Sequence, residues 1–421
     1  MSNIGEGVTE PSTAPTSASA SLDELRATVR EICVSFPDEY WRHLDTDHSY
    51  PEDFVAALTR SGLLAALVPK EYGGLGLGVT EASVILEEIN RSGAHSAACH
   101  AQMYTMGALL KHGSEQQKRR WLPQIAAGKR RLQAFSVTEA EAGSDTTRIT
   151  TTARPDKDGF VIDGQKNWTS RVEQSDLMLI LVRTSERGDQ DRRAAGLSLF
   201  LVDLHAVREE QPDALLVEPV RTMFNYATNR ITLRGLRVPV DALVGELGSG
   251  FRCVIDGWNA ERILLSAEAV GDGYWFADRA TRYANGRSVF GRPLGANQGV
   301  AFPIARAYMQ VRAADLMRFD AAQRFDAGEP LWSGSQHGQA AQLRGELGQR
   351  KRLLGRSRWQ RVGHRLRRRT KVPRNAPLFR GPGQQQPRHR LRGHQCARTS
   401  ALLLTSTAAP PLSDSSVTPS G

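Results

Sequence analysis

The chain has 421 residues, of which 55 are Lys or Arg and 45 are Asp or Glu, so its formal net charge is +10. That length is enough for two or three domains, and a hydrophobic content of 40% is ordinary for a folded chain in water. No apolar run is long enough to span a bilayer. The cysteines are too scattered for a zinc site or a disulfide framework, so we predict no metal and a reducing, cytoplasmic setting. They are Cys33, Cys99, Cys253 and Cys396.

The N-terminal part of the sequence is helical in pattern. Residues 1–21 are rich in Ser, Thr, Ala and Pro and lack a basic start, which predicts a disordered lead-in and not a signal peptide. Ser21 and Glu24 form a capping box that predicts a helix start. Ser114 is the expected N-cap of a later helix. A helical domain is therefore predicted over residues 22–133. Its further helical patterns cover residues 51–67, 80–93, 95–113 and 114–128.

The period changes after about residue 133, and strands are predicted over the middle domain, residues 134–244. The Asp163-Gly164 pair predicts a hairpin turn. Strand-like runs follow at residues 177–184, 196–204 and 230–239. Long amphipathic patterns then predict a helical bundle over residues 245–329. The predicted fold class is α+β, since helices, strands and helices follow one another in blocks and not in alternation.

Positive charge is concentrated at the C-terminal end of the chain. Residues 331–421 contain 18 of the Lys and Arg residues but only two acidic ones, Glu346 and Asp414. Residues 1–330 are therefore net acidic. The segment 330–421 also lacks a sustained helical period, so we predict a truncated bundle followed by a disordered basic tail.

Two segments of the middle domain carry the functional signal. "SVTEAEAGSD" at residues 136–145 and "DGQKNWTS" at residues 163–170 resemble the paired flavin-binding segments of the acyl-CoA dehydrogenase family. The resemblance continues in "VPKEYGGLGLG", "HGSEQQKRRWLP", "GELGSGF" and "GRSVFGRPLGANQ", and covers roughly residues 22–328. It implies a helical domain, a β-barrel-like middle domain and a C-terminal helical bundle.

The resemblance also implies FAD as the cofactor and assigns residues to it. Thr138 can present a hydroxyl and a backbone N–H to the edge of the flavin ring, Trp168 a flat wall, and Ser170 a hydroxyl. Without the resemblance, these residues would be interpreted as a capped turn and a core tryptophan. The cofactor-binding residues that it implies within the middle domain are Ser136, Val137, Thr138, Trp168 and Ser170.

Three further residues correspond to family positions that reach the FAD of a neighbouring subunit. Arg287 matches the arginine that holds the pyrophosphate, a group that guanidinium can grip with two hydrogen bonds. Phe290 and Gln298 match the same set of contacts. The alternative for Arg287 is a solvated charge at a helix end. The resemblance thus implies a homodimer or homotetramer if the bundle is intact.

The catalytic base predicted by the resemblance is Glu261. Family members remove the α-proton of an acyl-CoA with a carboxylate, which works well only when burial raises its pKa. One of the two locations of this base in the family precedes an Arg, as Glu261 precedes Arg262 here. Ser144, Trp258, Asn259 and Arg262 are the implied substrate-binding residues. An exposed glutamate on an amphipathic helix is the alternative.

The tail departs from the family pattern from about residue 330. Codons for residues 369–379 can be chosen that, when shifted by one base, read E-R-K-F-R-E-T-R-L-F, which resembles the missing family motif. We therefore interpret the tail as a frameshift product, in the gene or in the sequence record. A basic tail that binds nucleic acid is the alternative, although aromatic residues that could stack bases are nearly absent.

The predicted activity is α,β-desaturation of an acyl-CoA, with electrons passed to an electron-transferring flavoprotein. Two alternatives stay open: a flavin-dependent monooxygenase on the same fold, and an inactive remnant with an accidental basic tail. Neither specific nucleic-acid binding nor a membrane span is expected.

Overall fold

The computed structural model of the chain describes residues 17–186, 193–222 and 227–329. The basic tail at 330–421 and the first 16 residues of the lead-in lie outside them, as does the predicted frameshift. Within the described residues, helices come first, then a sheet, then helices again. The predicted fold class, with a helical N-terminal region, a middle sheet region and a helical C-terminal region, is therefore confirmed.

The N-terminal region packs six helices around an apolar core. The predicted cap Ser114 is confirmed, since its hydroxyl accepts a hydrogen bond of 3.1 Å from the backbone N–H of Gln117. The predicted start at Ser21 is wrong, because the first helix already begins at Ser17. The pattern over 51–67 ends early, because Gly62 adopts a φ of 76° after the third helix. The helices are α1 (Ser17–Val34), α2 (Asp38–Asp47), α3 (Glu52–Arg60), α4 (Val79–Arg91), α5 (Ala97–His112) and α6 (Glu115–Ala126).

The described residues of the middle region form a mixed sheet of eight strands. The strand order is β6-β7-β3-β2-β4-β5-β8. Strand β1 lies outside this order and pairs in parallel with β4. A short helix, α7 (Leu204–Glu210), follows β5. The strands are β1 (Leu132–Ser136), β2 (Thr152–Asp156), β3 (Gly159–Ser170), β4 (Leu177–Arg183), β5 (Leu197–Asp203), β6 (Leu215–Pro219), β7 (Thr228–Pro239) and β8 (Leu243–Val244).

The hairpin predicted at Asp163-Gly164 is wrong. Strand β3 runs through both residues, and the turn lies earlier, where Asp156 of β2 pairs with Gly159 of β3. Gly164 instead sits at a register shift between β3 and β7, with a φ of 146°. The positive φ that glycine permits therefore serves a bulge in the sheet and not a hairpin turn.

Two long helices form the C-terminal region, α8 (Gly250–Gly286) and α9 (Gln298–Asp326). A short two-stranded hairpin, β9 (Ser288–Val289) and β10 (Arg292–Pro293), connects them. Helix α8 packs against α4 and α5 of the first region and against β5 of the sheet. Helix α5 packs in turn against β1. The three regions therefore meet where α5 and α8 approach the end of β1.

The outer side of the last two helices is unusually apolar. Several large apolar side chains are exposed there: Ile255, Leu265, Phe302, Tyr308, Met309, Leu316 and Met317. No helix of the described ranges is long and apolar enough to cross a bilayer. Within the same ranges, Cys33, Cys99 and Cys253 are buried and form no disulfide, and no group of three or more potential ligands could hold a metal ion.

Candidate active site

The two flavin-like segments of the sequence lie side by side in the structure. Ser136, the last residue of β1, is buried, and its hydroxyl shares a hydrogen bond of 2.9 Å with the hydroxyl of Thr169. The carbonyl of Thr138 accepts a hydrogen bond of 2.8 Å from the backbone N–H of Asn167. The fold thus brings Ser136 and Thr138 next to the end of β3, as one site requires.

A buried ion pair ties the same two segments together. Nζ of Lys166 lies 2.9 Å from Oε1 of Glu139 and donates a further hydrogen bond of 3.0 Å to the carbonyl of Val137. Glu139 also accepts four hydrogen bonds, two from Thr150 and two from Thr151. Burial opposes ionisation of Glu139, but Lys166 and these donors outweigh it and lower its pKa to about 2.

Strand β3 ends in a distorted stretch that exposes Trp168, one of the predicted flavin residues. Its register against β7 shifts between Lys166 and Thr169, and Trp168 between them has a φ of 64°. A positive φ is costly for a bulky residue and recurs where function demands it. The bulge leaves the indole of Trp168 44% exposed. The hydroxyl of Ser170 shares a hydrogen bond of 3.2 Å with that of Thr228.

Helix α8 carries the predicted base and its neighbours. Trp258 packs against the apolar cluster that contains Val137, with its ring 6.4 Å from that of Phe251. Nη1 of Arg262 donates a hydrogen bond of 2.8 Å to Oδ1 of Asn259. Glu261 lies three residues beyond Trp258, so both project from the same side of the helix. These residues therefore face the flavin-like segments, whereas Ser144 lies exposed in the turn after β1.

The electrostatic environment of Glu261 suits a base. Burial raises its pKa, His100 and Arg262 oppose that rise, and Glu268 adds to it. Its side chain is half-buried, so it can be reached from outside. A carboxylate held in this way is a stronger proton acceptor near neutral pH than an ordinary surface glutamate.

Helix α5 contributes residues to the site that the sequence did not reveal. The rings of His100 and Tyr104 are 5.1 Å apart, and the ring of Tyr104 is 5.8 Å from that of Phe135 at the end of β1. Burial raises the pKa of Tyr104, and the charge of Glu261 raises it further. Tyr104 therefore lies between the predicted base and the strand that carries Ser136.

Arg287, Phe290 and Gln298 form a separate group. Arg287 caps the end of α8, Phe290 is fully exposed on the following hairpin with a φ of 52°, and Gln298 begins α9. All three side chains are exposed. The structure does not bring them to the Trp168 segment of the same chain. Such a separation is expected of residues that bind the cofactor of a neighbouring subunit.

The residues present fit a flat, polar-edged ring such as a flavin. Trp168 presents an exposed apolar face of matching shape, and Val137 adds apolar surface. Thr138 and Ser170, which are half-buried and carry hydroxyls, lie at the adjacent strand ends, so donors and acceptors are available for the ring edge, whereas Ser136 is fully buried and its hydroxyl is bonded to Thr169. The bulge leaves the indole of Trp168 exposed to solvent, and a ring bound over it would bury that apolar surface.

Local patterns could have identified some of the missed residues. Lys166 lies on the same side of β3 as Ile162, which is fully buried, and an inward lysine requires a buried acceptor. His100 and Tyr104 are four residues apart on one helix, so they share a face. The identity of their partners, however, depends on contacts between distant elements.

Comparison with known proteins identifies the family. Profiles of the acyl-CoA dehydrogenase N-terminal, middle and C-terminal domains match residues 19–129, 134–230 and 248–346. The third match thus extends past residue 330, where the tail changes character.

Among curated proteins, the chain is 34% identical to acyl-CoA dehydrogenase FadE12 of Mycobacterium tuberculosis over 308 residues, which cover 72% of this chain and 77% of the relative. It is 29% identical to the mitochondrial short-chain specific acyl-CoA dehydrogenase of Rattus norvegicus over 323 residues, covering 74% and 76%.

Solved structures show the same fold. A glutaryl-coenzyme A dehydrogenase in complex with glutaryl-CoA superposes with a TM-score of 0.73 at 25% identity, covering 85% of this chain and 91% of that one. PigA with FAD and proline superposes with a TM-score of 0.74 at 20% identity, covering 86% and 94%. With the three domain matches in order, this chain belongs to the acyl-CoA dehydrogenase family.

Proposed function

We propose that the chain is an FAD-dependent acyl-CoA dehydrogenase that desaturates an acyl-CoA thioester between its α and β carbons. The observation that carries this proposal is the placement of Glu261. It is a half-buried carboxylate with a raised pKa, and its charge acts on Tyr104, whose ring is 5.8 Å from that of Phe135 in β1. Family membership supplies the reaction type, and this carboxylate supplies the group that the reaction needs.

The residues have distinct roles in the proposed reaction. Glu261 takes the α-proton onto its carboxylate, and its raised pKa makes that transfer less unfavourable. Ser136, Thr138 and Ser170 bind the edge of the isoalloxazine ring, and Trp168 covers its face. FAD, when bound, supplies the acceptor for the hydride that leaves the β-carbon.

The substrate is held by the remaining assigned residues. Trp258, Asn259 and Arg262 lie within one helical turn of the base and orient the thioester end of the chain, while Ser144 in the exposed turn contacts the CoA portion. The hydrogen bond between Arg262 and Asn259 keeps that guanidinium beside Glu261. There its positive charge opposes the rise that burial causes in the pKa of Glu261.

The proposal extends to assembly and electron transfer. Arg287, Phe290 and Gln298 contact the FAD pyrophosphate of a second subunit, which their exposure on the α8–α9 hairpin permits. The enzyme is therefore a homodimer or homotetramer. Electrons pass from the reduced enzyme to an electron-transferring flavoprotein.

An anaerobic titration tests the proposal. The full chain is purified with FAD and mixed with acyl-CoAs of increasing length, without any other reductant, while the visible flavin band is recorded. Bleaching by an acyl-CoA is expected, and the enoyl-CoA product should appear in equal amount. If dithionite bleaches the bound flavin but no acyl-CoA does, the dehydrogenase function is wrong.

A further inference from the structure

Helices α5 and α8 run antiparallel beside the proposed base. Nε2 of His112, at the end of α5, lies 2.9 Å from Oδ2 of Asp256, near the start of α8. Nδ1 of His100, near the start of α5, lies 3.3 Å from Oε1 of Glu268, which is about three turns further along α8. Late positions of α5 therefore meet early positions of α8, and these two contacts fix how the helices align.

Glu261 lies on the stripe of α8 that faces α5. A Cβ atom at Gly257 would lie 3.8 Å from the carbonyl oxygen of Tyr104, so Gly257 faces α5 as Glu268 does. Glu261 follows Gly257 by four residues and precedes Glu268 by seven, and both spacings keep residues on one face of a helix. Glu261 is therefore opposite the stretch of α5 between Tyr104 and His100.

His100 is anchored by the carboxylate of Glu268. The hydroxyl of Ser96 donates a hydrogen bond of 2.6 Å to Oε1 of Glu268, the same oxygen that contacts His100. The backbone N–H of Ser96 donates one of 3.1 Å to Oδ1 of Asn90, and Nδ2 of Asn90 donates one of 3.1 Å to the carbonyl of Glu268. Helices α4, α5 and α8 thus hold Glu268 in one place, and with it the imidazole of His100.

The environment of Glu268 favours a positively charged His100. Burial opposes ionisation of Glu268, but the charge of His100 and the hydrogen bonds from His100 and Ser96 outweigh it and lower its pKa to about 2. An ionised carboxylate in the interior needs a cation beside it, and the hydroxyl of Ser96 is neutral. His100 is 7% exposed, and its Nε2 is buried without a partner among the described residues. Water therefore screens the charge of this ring poorly.

The charges near Glu261 act on it in both directions. Burial raises its pKa, the charge of His100 opposes that rise most, Arg262 opposes it less, and Glu268 adds to it. On α4, the side chain that reaches Glu268 is the neutral Asn90. The titratable and charged groups around this part of the α5–α8 contact are His95, His100, Tyr104, Arg171, Arg262 and Glu268.

We propose that His100 is a positioning residue for the proposed base. Anchored to Glu268, it presents an imidazolium from α5 to the carboxylate of Glu261 on α8 and favours the ionised form of that carboxylate, which is the form that accepts a proton. His100 acts through Glu261 and takes no proton from the substrate itself. This inference rests on the proposed function for the role of Glu261 as the base.

A direct titration of Glu261 tests the inference without any turnover. The FAD-loaded full chain is labelled with carbon-13 at the carboxyl groups of its glutamates, and the resonance of Glu261 is identified as the one that is lost in Glu261→Gln. Its chemical shift is followed by NMR over the pH range in which the protein stays folded. In His100→Asn, we expect the ionisation constant of Glu261 to fall about threefold or more, because the favourable charge is gone.

Three further variants separate charge from packing. His100→Gln is a second neutral substitution, for the case that His100→Asn does not fold. Ser96→Ala removes a hydrogen bond to Glu268 but keeps both charges, so it should leave the ionisation constant of Glu261 nearly unchanged. His43→Asn is the matched control, since His43 pairs with Asp47 on the exposed side of α2.

The pH profile of flavin reduction by an acyl-CoA is the second measurement. In a neutral variant of His100, kcat/KM on the acidic limb should fall by the same factor as the ionisation constant, while the plateau at high pH is retained. A merely structural role of His100 would lower kcat/KM at every pH and leave the titration of Glu261 unchanged.

The outcomes separate the inference from the proposed function. An unchanged titration of Glu261 in the neutral variants that fold overturns the inference even if acyl-CoAs bleach the flavin, and so does an equal change in Ser96→Ala. A fall in the neutral variants that is absent from Ser96→Ala and His43→Asn supports the action of His100 on Glu261 even if no acyl-CoA bleaches the flavin. In that case only the dehydrogenase function fails.

Discussion

Nζ of Lys166 lies 2.9 Å from Oε1 of Glu139, and both side chains are buried at 0% and 7% exposure. The pair joins strand β3 to the turn that follows β1. Lys166 also bonds the carbonyl of Val137, so the ammonium fixes the backbone next to Thr138. The ion pair thus helps to fix the relative position of Thr138 and Trp168, together with the hydrogen bond from the backbone N–H of Asn167 to the carbonyl of Thr138.

Removing the acidic partner should destabilise the chain. Glu139→Gln leaves Lys166 buried without a counter-charge, which is expected to lower the free energy of unfolding by about 3 kcal/mol. It should also reduce the FAD content of the purified protein. Urea unfolding at pH 7 measures the first effect. Glu141→Gln, an exposed glutamate of the same turn, is the control; an equal effect of the two substitutions would contradict this role of the pair.

The same pair predicts how stability depends on pH. Folding lowers the pKa of Glu139 to about 2. A group whose pKa is lowered by folding stabilises the protein fully above its unfolded pKa, about 4.3 for glutamate, and loses that contribution as the pH falls towards the folded value. The contribution of Glu139 to the unfolding free energy should therefore shrink as the pH falls below about 4. Chemical denaturation of the unmodified chain and of Glu139→Gln below about pH 5 measures it, and an equal fall in the two would refute the assignment.

The order of regions and most long elements could be predicted from the sequence because their periodicity is local. The apolar spacing of α4, α5 and α8 and the runs of β4 and β5 give their type without knowledge of neighbours. Gly164 shows where such reasoning fails. Asp-Gly is a good turn pair, yet here its freedom of φ serves a bulge, because β3 pairs along its length with β7.

The candidate site was only partly predictable for a related reason. Thr138, Trp168 and Glu261 could be named because each lies in a recognisable short segment. His100 and Glu268 could not, because their significance arises only when α5 and α8 meet. The contact between Nδ1 of His100 and Oε1 of Glu268 is a property of packing and not of sequence.

Glu261 should be essential for the chemical step. Glu261→Gln keeps the size of the side chain but cannot accept the proton, so flavin reduction by an acyl-CoA should slow by about a hundredfold to ten-thousandfold. Bound FAD and the unfolding midpoint should be unchanged. Stopped-flow reduction measures the rate, with Glu246→Gln, an exposed residue before α8, as the control.

The pH profile of the same reaction provides a second test of the role of Glu261 as the base. Burial raises its pKa, and only the ionised form accepts a proton, so kcat/KM should rise with pH through an apparent pKa above the ordinary range of glutamate. Unaltered reduction in Glu261→Gln would exclude the base role, and so would an acidic limb that persists in that variant.

Arg287 should matter for cofactor retention across a subunit interface. Arg287→Gln removes the guanidinium proposed to bind the pyrophosphate, so the affinity for FAD should fall about tenfold or more while the unfolding free energy of the isolated subunit stays unchanged. Arg292→Gln is the control, since Arg292 is exposed on the same hairpin and bonds Asn297. Flavin release on dilution measures the effect. Equal release from both variants would mean that Arg287 does not reach the cofactor.

The reading frame of the gene after Glu329 is the last prediction. Helices α8 and α9 expose Ile255, Phe302, Met309 and Leu316, as helices do when a covering partner is missing from their apolar side. Codons for residues 369–379 can be chosen that resemble the family motif when shifted by one base, so a frame change upstream of Arg369 would account for both features. Resequencing codons 325–380 should reveal it, and protein from the restored frame should bind FAD more tightly and unfold at higher temperature. An intact single frame that encodes the basic tail in independent isolates would refute the frameshift, and the exposed apolar side chains would then need a partner other than this chain's own bundle.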